Sequence, residues 1–321
     1  MRRFLRHSCW ILLLALVPAT AFAQEAPPDP GGLSGRLQVG GFFLQTDSQL
    51  STEGTNRRTS DLDGPAAPHT LLSGLAAVYL RYQFESGTAL YAGNPLEAGE
   101  GLAVAAGVSQ PIGESTLDFS VTWSPIEEVW ENPYQTNDAR EETAVDAYGF
   151  KLEWQEIGGG PWQLSYGLGR IDVEDDVIGE LEPDLERDGW IHRLGVEYTL
   201  PLSPGVELKP HLRYAYADRE GESNRYHGME AGFLVQRARP PWVLVGVLSG
   251  AYHHYPEDHP LFSEDRRDGI LTAFGQVMHL NLFGFEQLFA SMGAGYIRSD
   301  SSIDFFDSQT VVGLASVGIN F

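Results

Sequence analysis

The sequence predicts an all-β protein: an antiparallel, up-and-down transmembrane β-barrel of about 14 strands, with about 12 as the nearest alternative. Three observations predict it. The chain ends on a strand that alternates apolar and wetter residues and stops on an aromatic. Strand-length segments recur with short turns on one side and mostly longer polar loops on the other. A secretory leader precedes all of this, yet no apolar run is long enough for a transmembrane helix.

The final segment, 310–321, carries the clearest pattern. Phe321, Ile319, Val317, Ala315 and Gly313 fall on one face, and Asn320, Gly318 and Ser316 on the other. Soluble domains usually finish in frayed polar residues. A barrel instead closes by pairing its last strand with its first, and Phe321, Ile319 and Val317 are the expected closing positions. The same strand is the expected point of contact with the barrel-assembly machinery.

The amino end fits an exported chain. Arg2, Arg3 and Arg6 precede the short apolar run Trp10 to Val17, then Pro18 and the small-x-small pattern Ala21-Phe22-Ala23. Residues 1–23 read as a cleaved signal peptide. Cys9 lies before the apolar run, where it cannot serve as a lipoprotein cysteine, and it is the chain's only cysteine. No disulfide is therefore expected in the mature protein. Residues 24–34, with Pro27, Pro28 and Pro30, read as a flexible periplasmic lead-in, and residues 35–321 as the barrel.

The net charge of −23 becomes still more negative once the three leader arginines are removed, so nucleic acid is not an expected partner. Aromatic residues at 11% and 36 glycines argue against disorder. A soluble β-sandwich would also supply many short strands, but it accounts neither for one-sided loop lengths nor for the aromatic ending.

In order, strands are expected near 35–45, 70–84, 88–94, 102–112, 116–124, 144–156, 162–173, 190–200, 206–218, 226–237, 242–255, 270–282 and 287–299, then the final strand. Short turns such as Glu85-Ser86-Gly87, Gly113-Glu114-Ser115 and Arg239-Pro240-Pro241 join alternate pairs. Within strands the faces separate. Trp162, Leu164, Tyr166 and Leu168 oppose Gln163, Ser165, Gly167 and Gly169. Trp123, Trp154, Trp162, Trp190 and Trp242 sit near strand ends, as an interfacial aromatic girdle requires.

The inward faces then carry Arg36, Arg81, Lys151, Glu153, Arg193, Glu197, Glu207, Lys209, His211, Arg213 and Glu230. Mixed charges of this kind either satisfy one another in a water-poor interior or select solutes in a pore. A barrel of this size favours a narrow or partly plugged passage. The loop 46–69 is long enough either to fold inward as a constriction or to cap the top. Acidic residues crowd the loops. Glu127, Glu128, Glu131, Glu141 and Glu142 mark one, and Asp175, Asp176, Asp184 and Asp188 another. Those four aspartates are weak candidates for a divalent cation, since no spacing matches an EF-hand. A solvated acidic loop is the favoured reading, with enrichment of cations at a pore mouth as its functional counterpart.

No enzyme signature is found. Ser165 and His211 share the predicted lumen without a recognisable triad. His253 and His254 are adjacent and face opposite sides. Asp258 and His259 fall in a predicted loop. Neither a cofactor nor a catalytic residue is expected.

Several stretches resemble an uncharacterised family of Gram-negative outer-membrane proteins that carries only a domain-of-unknown-function label. They are Ser34-Gly35-Arg36-Leu37-Gln38-Val39-Gly40, Tyr91-Ala92-Gly93-Asn94-Pro95-Leu96, Lys151-Leu152-Glu153-Trp154-Gln155-Glu156-Ile157, Gly169-Arg170-Ile171-Asp172-Val173-Glu174, Leu185-Glu186-Arg187-Asp188-Gly189 and His259-Pro260-Leu261-Phe262. Glu186 and Trp190 depart from the family pattern at 185–190. The resemblance implies the barrel fold and an outer-membrane location, and it transfers no catalytic residue.

The function expected is passive passage of small solutes or cations. The alternative is a closed barrel with a structural or surface role through its acidic loops. The expected surroundings are outer-membrane lipid and lipopolysaccharide, with divalent cations bridging acidic loops to lipid phosphates.

Overall fold

The structure is a computed structural model describing residues 31–52, 54–94 and 103–321. The leader, Cys9, Pro95, Leu96 and most of the 24–34 lead-in lie outside the described residues. The strands are β1 (Leu33–Thr46), β2 (His69–Gln83), β3 (Ala89–Gly93), β4 (Val104–Ile112) and β5 (Ser115–Trp130). They continue with β6 (Glu142–Gln155), β7 (Trp162–Val173), β8 (Gly189–Tyr198), β9 (Leu200–Ser203) and β10 (Val206–Arg219). The last five are β11 (Tyr226–Arg239), β12 (Trp242–His259), β13 (Glu264–Leu280), β14 (Leu288–Ser301) and β15 (Ser308–Asn320).

Each strand pairs antiparallel with its sequence neighbours, and β8 and β9 both pair with β10. They are therefore two parts of one stave, and the ring has 14 staves. The expected strand 190–200 is thus broken at Thr199 and runs on to Ser203. The other differences lengthen strands on the loop side. β5 reaches Trp130, and β12 reaches His259, so Asp258 and His259 are strand residues rather than loop residues. These upper ends stay paired across register shifts, between Ser124 and Glu127 in β5 and between His254 and Asp258 in β12.

Closure is made where the terminal pattern places it. β15 pairs β1 with Ile319 opposite Leu37 and Val317 opposite Val39. Phe321 N donates to Gly35 O at 3.0 Å, and Gly35 N donates to Phe321 O at 2.8 Å. A Cβ on Gly35 would lie 2.6 Å from the Phe321 ring, so glycine lets the terminal aromatic fold against the seam. With β1 and β15 paired, the first and last strands both have partners, as crossing hydrocarbon with strands requires. Among the described residues no helix is long and apolar enough to cross a membrane.

The outer face is apolar and exposed: Leu72 is 79% exposed, Val39 58% and Val317 51%. A continuous belt of this kind is stable against lipid. Trp154, Trp162 and Trp242 stand outward by the short turns, and Trp123 and Trp190 outward toward the loops, all at least two-fifths exposed. Trp130 is the exception, wholly buried beneath the loops.

Candidate functional site: the lumen wall and its lid

The inner face divides into two arcs. One runs from β5 to β11 and is charged. Lys151 Nζ lies 3.2 Å from Glu153 Oε1, two residues along the same face, and Gln163 Nε2 donates to Glu153 Oε1 at 2.8 Å. Across β10 and β11, Glu230 Oε1 receives Arg213 Nη1 at 2.8 Å and His211 Nε2 at 3.0 Å. Glu207 and Lys209 are more loosely matched at 3.9 Å. Glu197 on β8 lies directly opposite His211 on β10. Glu153, Glu197, His211 and Glu230 are all buried. Two further charged members of the wall are Arg193 on β8 and, outside this arc, Arg81 on β2. Arg36 donates to Asn320 Oδ1 at 3.0 Å and lies over the Phe289 ring.

The facing arc, β11 through β15 to β2, is largely apolar. Leu234, Val245, Val247 and Phe274 form one buried cluster, and Phe42, Leu44, Leu71 and Val312 another. Leu314 packs against both, so the two read as one layer along the wall. Phe274 lies flat because β14 offers Gly293 and Gly295, whose added Cβ atoms would fall 3.0 and 2.9 Å from its ring. Small polar residues fill several of the remaining inward positions, including Gln38, Ser291 and Ser316, which are joined by hydrogen bonds of 2.6 and 2.7 Å.

A packed lid covers the loop end. The β5–β6 loop lies across the ring from the β12–β13 and β14–β15 loops, with four staves between them on either side. Yet Tyr134 of the first packs with Phe262, Phe305 and Phe306 of the others. The Tyr134 hydroxyl lies 3.0 Å from His259 Nε2. Ile303, Phe305 and Phe306 are buried there, with Leu50 and Leu62 from the β1–β2 loop against them. Burial pushes the Tyr134 phenol up to about 12. The loop after β1 is therefore a cap, not an inward constriction, and it is held by one buried cation. Arg140 Nη1 donates to Gln49 O at 3.0 Å and Pro133 O at 2.9 Å, and Nη2 donates to Asn56 Oδ1 at 2.9 Å and to Asn56 O. Its guanidinium lies over Trp130, whose indole N–H donates to Ser51 O at 3.1 Å. Burial pulls Arg140 down to about 10, so it stays charged at neutral pH. From the wall below, Arg266 pairs with Asp268 at 2.7 Å and stacks on Phe306.

The acidic loop before β8 is folded on itself. Asp176 caps α1 (Val177–Leu181) by accepting from Gly179 N, and it pairs with Arg187 at 2.6 Å. Arg187 reaches on to Trp130 O at 2.7 Å. Asp188 accepts Val173 N at 2.7 Å, while burial and neighbouring acids hold its carboxyl above the ordinary range. Asp176 and Asp188 thus act as structural acceptors. Asp175 uses its backbone N–H on Thr143, and Asp184 is the second residue of the short turn Pro183–Leu185. No group of three His, Cys, Asp or Glu among the described residues has metal-binding geometry.

Ser165 is inward near Gly195, but His211 is committed to Glu230. His253 faces in and His254 out, as alternation requires. Sequence reasoning missed Asp118, which accepts from Tyr91 at 2.6 Å on the inner face, and the lid residues Tyr134 and Arg140. Asp118 could have been read by stepping two residues at a time from Thr116. One concavity of about 490 Å³, lined by Leu117, Leu152, Trp154, Leu164 and Leu194 among others, lies on the outer wall and faces lipid.

The family "Protein of unknown function (DUF2860)" matches residues 32–321. The chain belongs to this family. No curated protein matches the sequence. Among solved structures, this DUF2860 member is similar to the "CymD monoaromatic hydrocarbon channel", at 9% identity and TM-score 0.49, covering 98% of this chain and 94% of that one. It is also similar to a "Bacterial polysaccharide outer membrane secretin", at 10% identity and TM-score 0.41, over 89% and 98% of the two chains. A BenF-like porin from Pseudomonas fluorescens Pf-5 aligns at 9% identity and TM-score 0.38, over 91% and 100%.

Proposed function

We propose that this DUF2860 protein is a gated passive channel of the Gram-negative outer membrane, passing small solutes without chemical change. The observation that carries the reading is the pairing of a charged lumen arc with a lid that spans the mouth from opposite sides of the ring. A barrel with only a structural task has no need of a buried charged arc, because desolvating ions costs several kcal/mol each. A solute path needs such groups to replace water. The acidic loops outside the lid raise the local cation concentration and meet lipopolysaccharide phosphates through bridging divalent ions. Export by a cleaved leader and delivery by the barrel-assembly machinery through the Phe321 strand complete the proposal.

The lid itself favours the second reading, a closed barrel whose loops are its working surface. Planar-bilayer recording separates the two. Refolded wild-type protein is expected to open rarely, and a variant lacking residues 132–138 to show steady open steps. Silent membranes from both proteins would overturn the channel reading and leave the closed barrel.

A further inference from the structure

The charged arc holds more acceptors than it uses. Glu197 is 6% exposed, yet its Oε1 has no hydrogen-bond partner. Glu230 is 4% exposed; its Oε1 serves Arg213 and His211, while Oε2 has no partner. His211 Nε2 bonds Glu230, and its Nδ1 has no partner; in the neutral ring that nitrogen is an acceptor. The three residues belong to one patch. Glu197 and His211 are a directly opposed cross-strand pair, and Glu230 is bonded to His211 from the next stave. Glycines surround the patch: Gly195 admits the Ser165 hydroxyl and Gly232 the His211 ring, so no large side chain covers it from those positions. Lys209, Arg213 and a protonated His211 act on Glu197 through space, and Glu153 acts against them.

A buried carboxylate oxygen without a donor is costly, so such atoms mark a place where something else donates. The two carboxylate oxygens are acceptors, and so is Nδ1 of a neutral His211 ring. The complementary group is a cation with several N–H donors on one centre, which is an ammonium. A bare metal ion fits less well, because no three of these side chains have metal-ligand geometry among the described residues.

We propose that Glu197, Glu230 and His211 form a binding step for the ammonium group of a small organic amine inside the barrel. This rests on the channel reading for its purpose, but its test does not. Binding of ethylammonium chloride to refolded, detergent-solubilised protein is measured by titration calorimetry, at fixed ionic strength. The variants compared are Glu197→Gln, a loop control Asp175→Asn with Asp184→Asn, and the chain lacking residues 132–138, which guarantees access. The expected result is saturable binding that weakens about tenfold in Glu197→Gln, the loss of one charge-assisted hydrogen bond, and is unchanged in the loop control. Glu197→Gln is nearly isosteric and removes an unpaired charge, so its folded, heat-modifiable band on gels should be kept. Equal affinity in wild type and Glu197→Gln, or no saturable binding even without the lid, overturns the site. Binding without conductance would keep the site and reject the channel.

Discussion

The two arcs of the lumen wall are built from the same strands' worth of backbone and the same alternation, yet they solve opposite problems. The apolar arc from β11 to β2 buries Leu234, Phe274, Leu44 and Val312 against one another, with serines and glutamines as small hydrogen-bonded fillers. The charged arc from β5 to β11 buries Glu153, Glu197, His211 and Glu230 and must neutralise them group by group. An apolar layer tolerates loss of a contact by relaxing. A charge network does not, because each removed partner strands another ion.

That contrast can be broken most forcefully at Phe274. Placing aspartate there puts an unpaired carboxylate on Gly293 and Gly295 in the apolar arc. A loss of about 4 kcal/mol or more is expected, read as a collapse in refolding yield in detergent or lipid. A yield equal to wild type would mean that water reaches this wall freely. Next comes Glu230→Gln, which deprives Arg213 and His211 of their shared acceptor. A loss of about 3 kcal/mol in urea unfolding from lipid vesicles is expected.

The lid supplies a smaller effect with a second readout. Arg140→Lys keeps the charge but not the fork that reaches Gln49, Pro133 and Asn56 at once. About 2 kcal/mol of lid stability should go, seen as faster proteolysis within residues 47–68 and more frequent opening in bilayers. Unchanged proteolysis would show that the loops hold the mouth without this residue. Smallest is Trp162→Ala on the outer girdle, which removes an exposed ring packed edge-to-face against Tyr198. About 1 kcal/mol is expected, with no change in ion passage.

Much of this was legible from residues alone. Alternation in 162–169 assigns Trp162 and Leu164 outward and Gln163 and Ser165 inward, and the structure keeps that assignment. The inward charges from Lys151 to Glu230 follow from the same rule, because a side-chain period of two admits only two faces. Two kinds of error came from the ends. The upper reaches of β5 and β12 pass a register shift, so alternation breaks and 256–259 reads as loop. Trp130, beyond the expected strand 116–124, reads as a loop residue, since nothing local reveals that β5 runs on and that the β1–β2 loop covers the ring. Asp176 and Asp188 look like metal ligands in a list of acids, but a capping role is invisible until Arg187 and Val173 arrive beside them.

What the chain's order of residues determined by itself was the sheet: which segments pair, which positions face lipid, and that the strand ending at Phe321 closes on the first. Those are local or near-neighbour matters, set by a period of two and by hairpin turns. Only the closed ring decided what lies opposite what. Tyr134 and His259 are 125 residues apart, and they meet because curvature carries their hairpins to facing sides of one mouth. Curvature likewise sets the apolar arc facing the charged one. Contacts across a lumen depend on the whole circumference, and no window of neighbouring residues contains it.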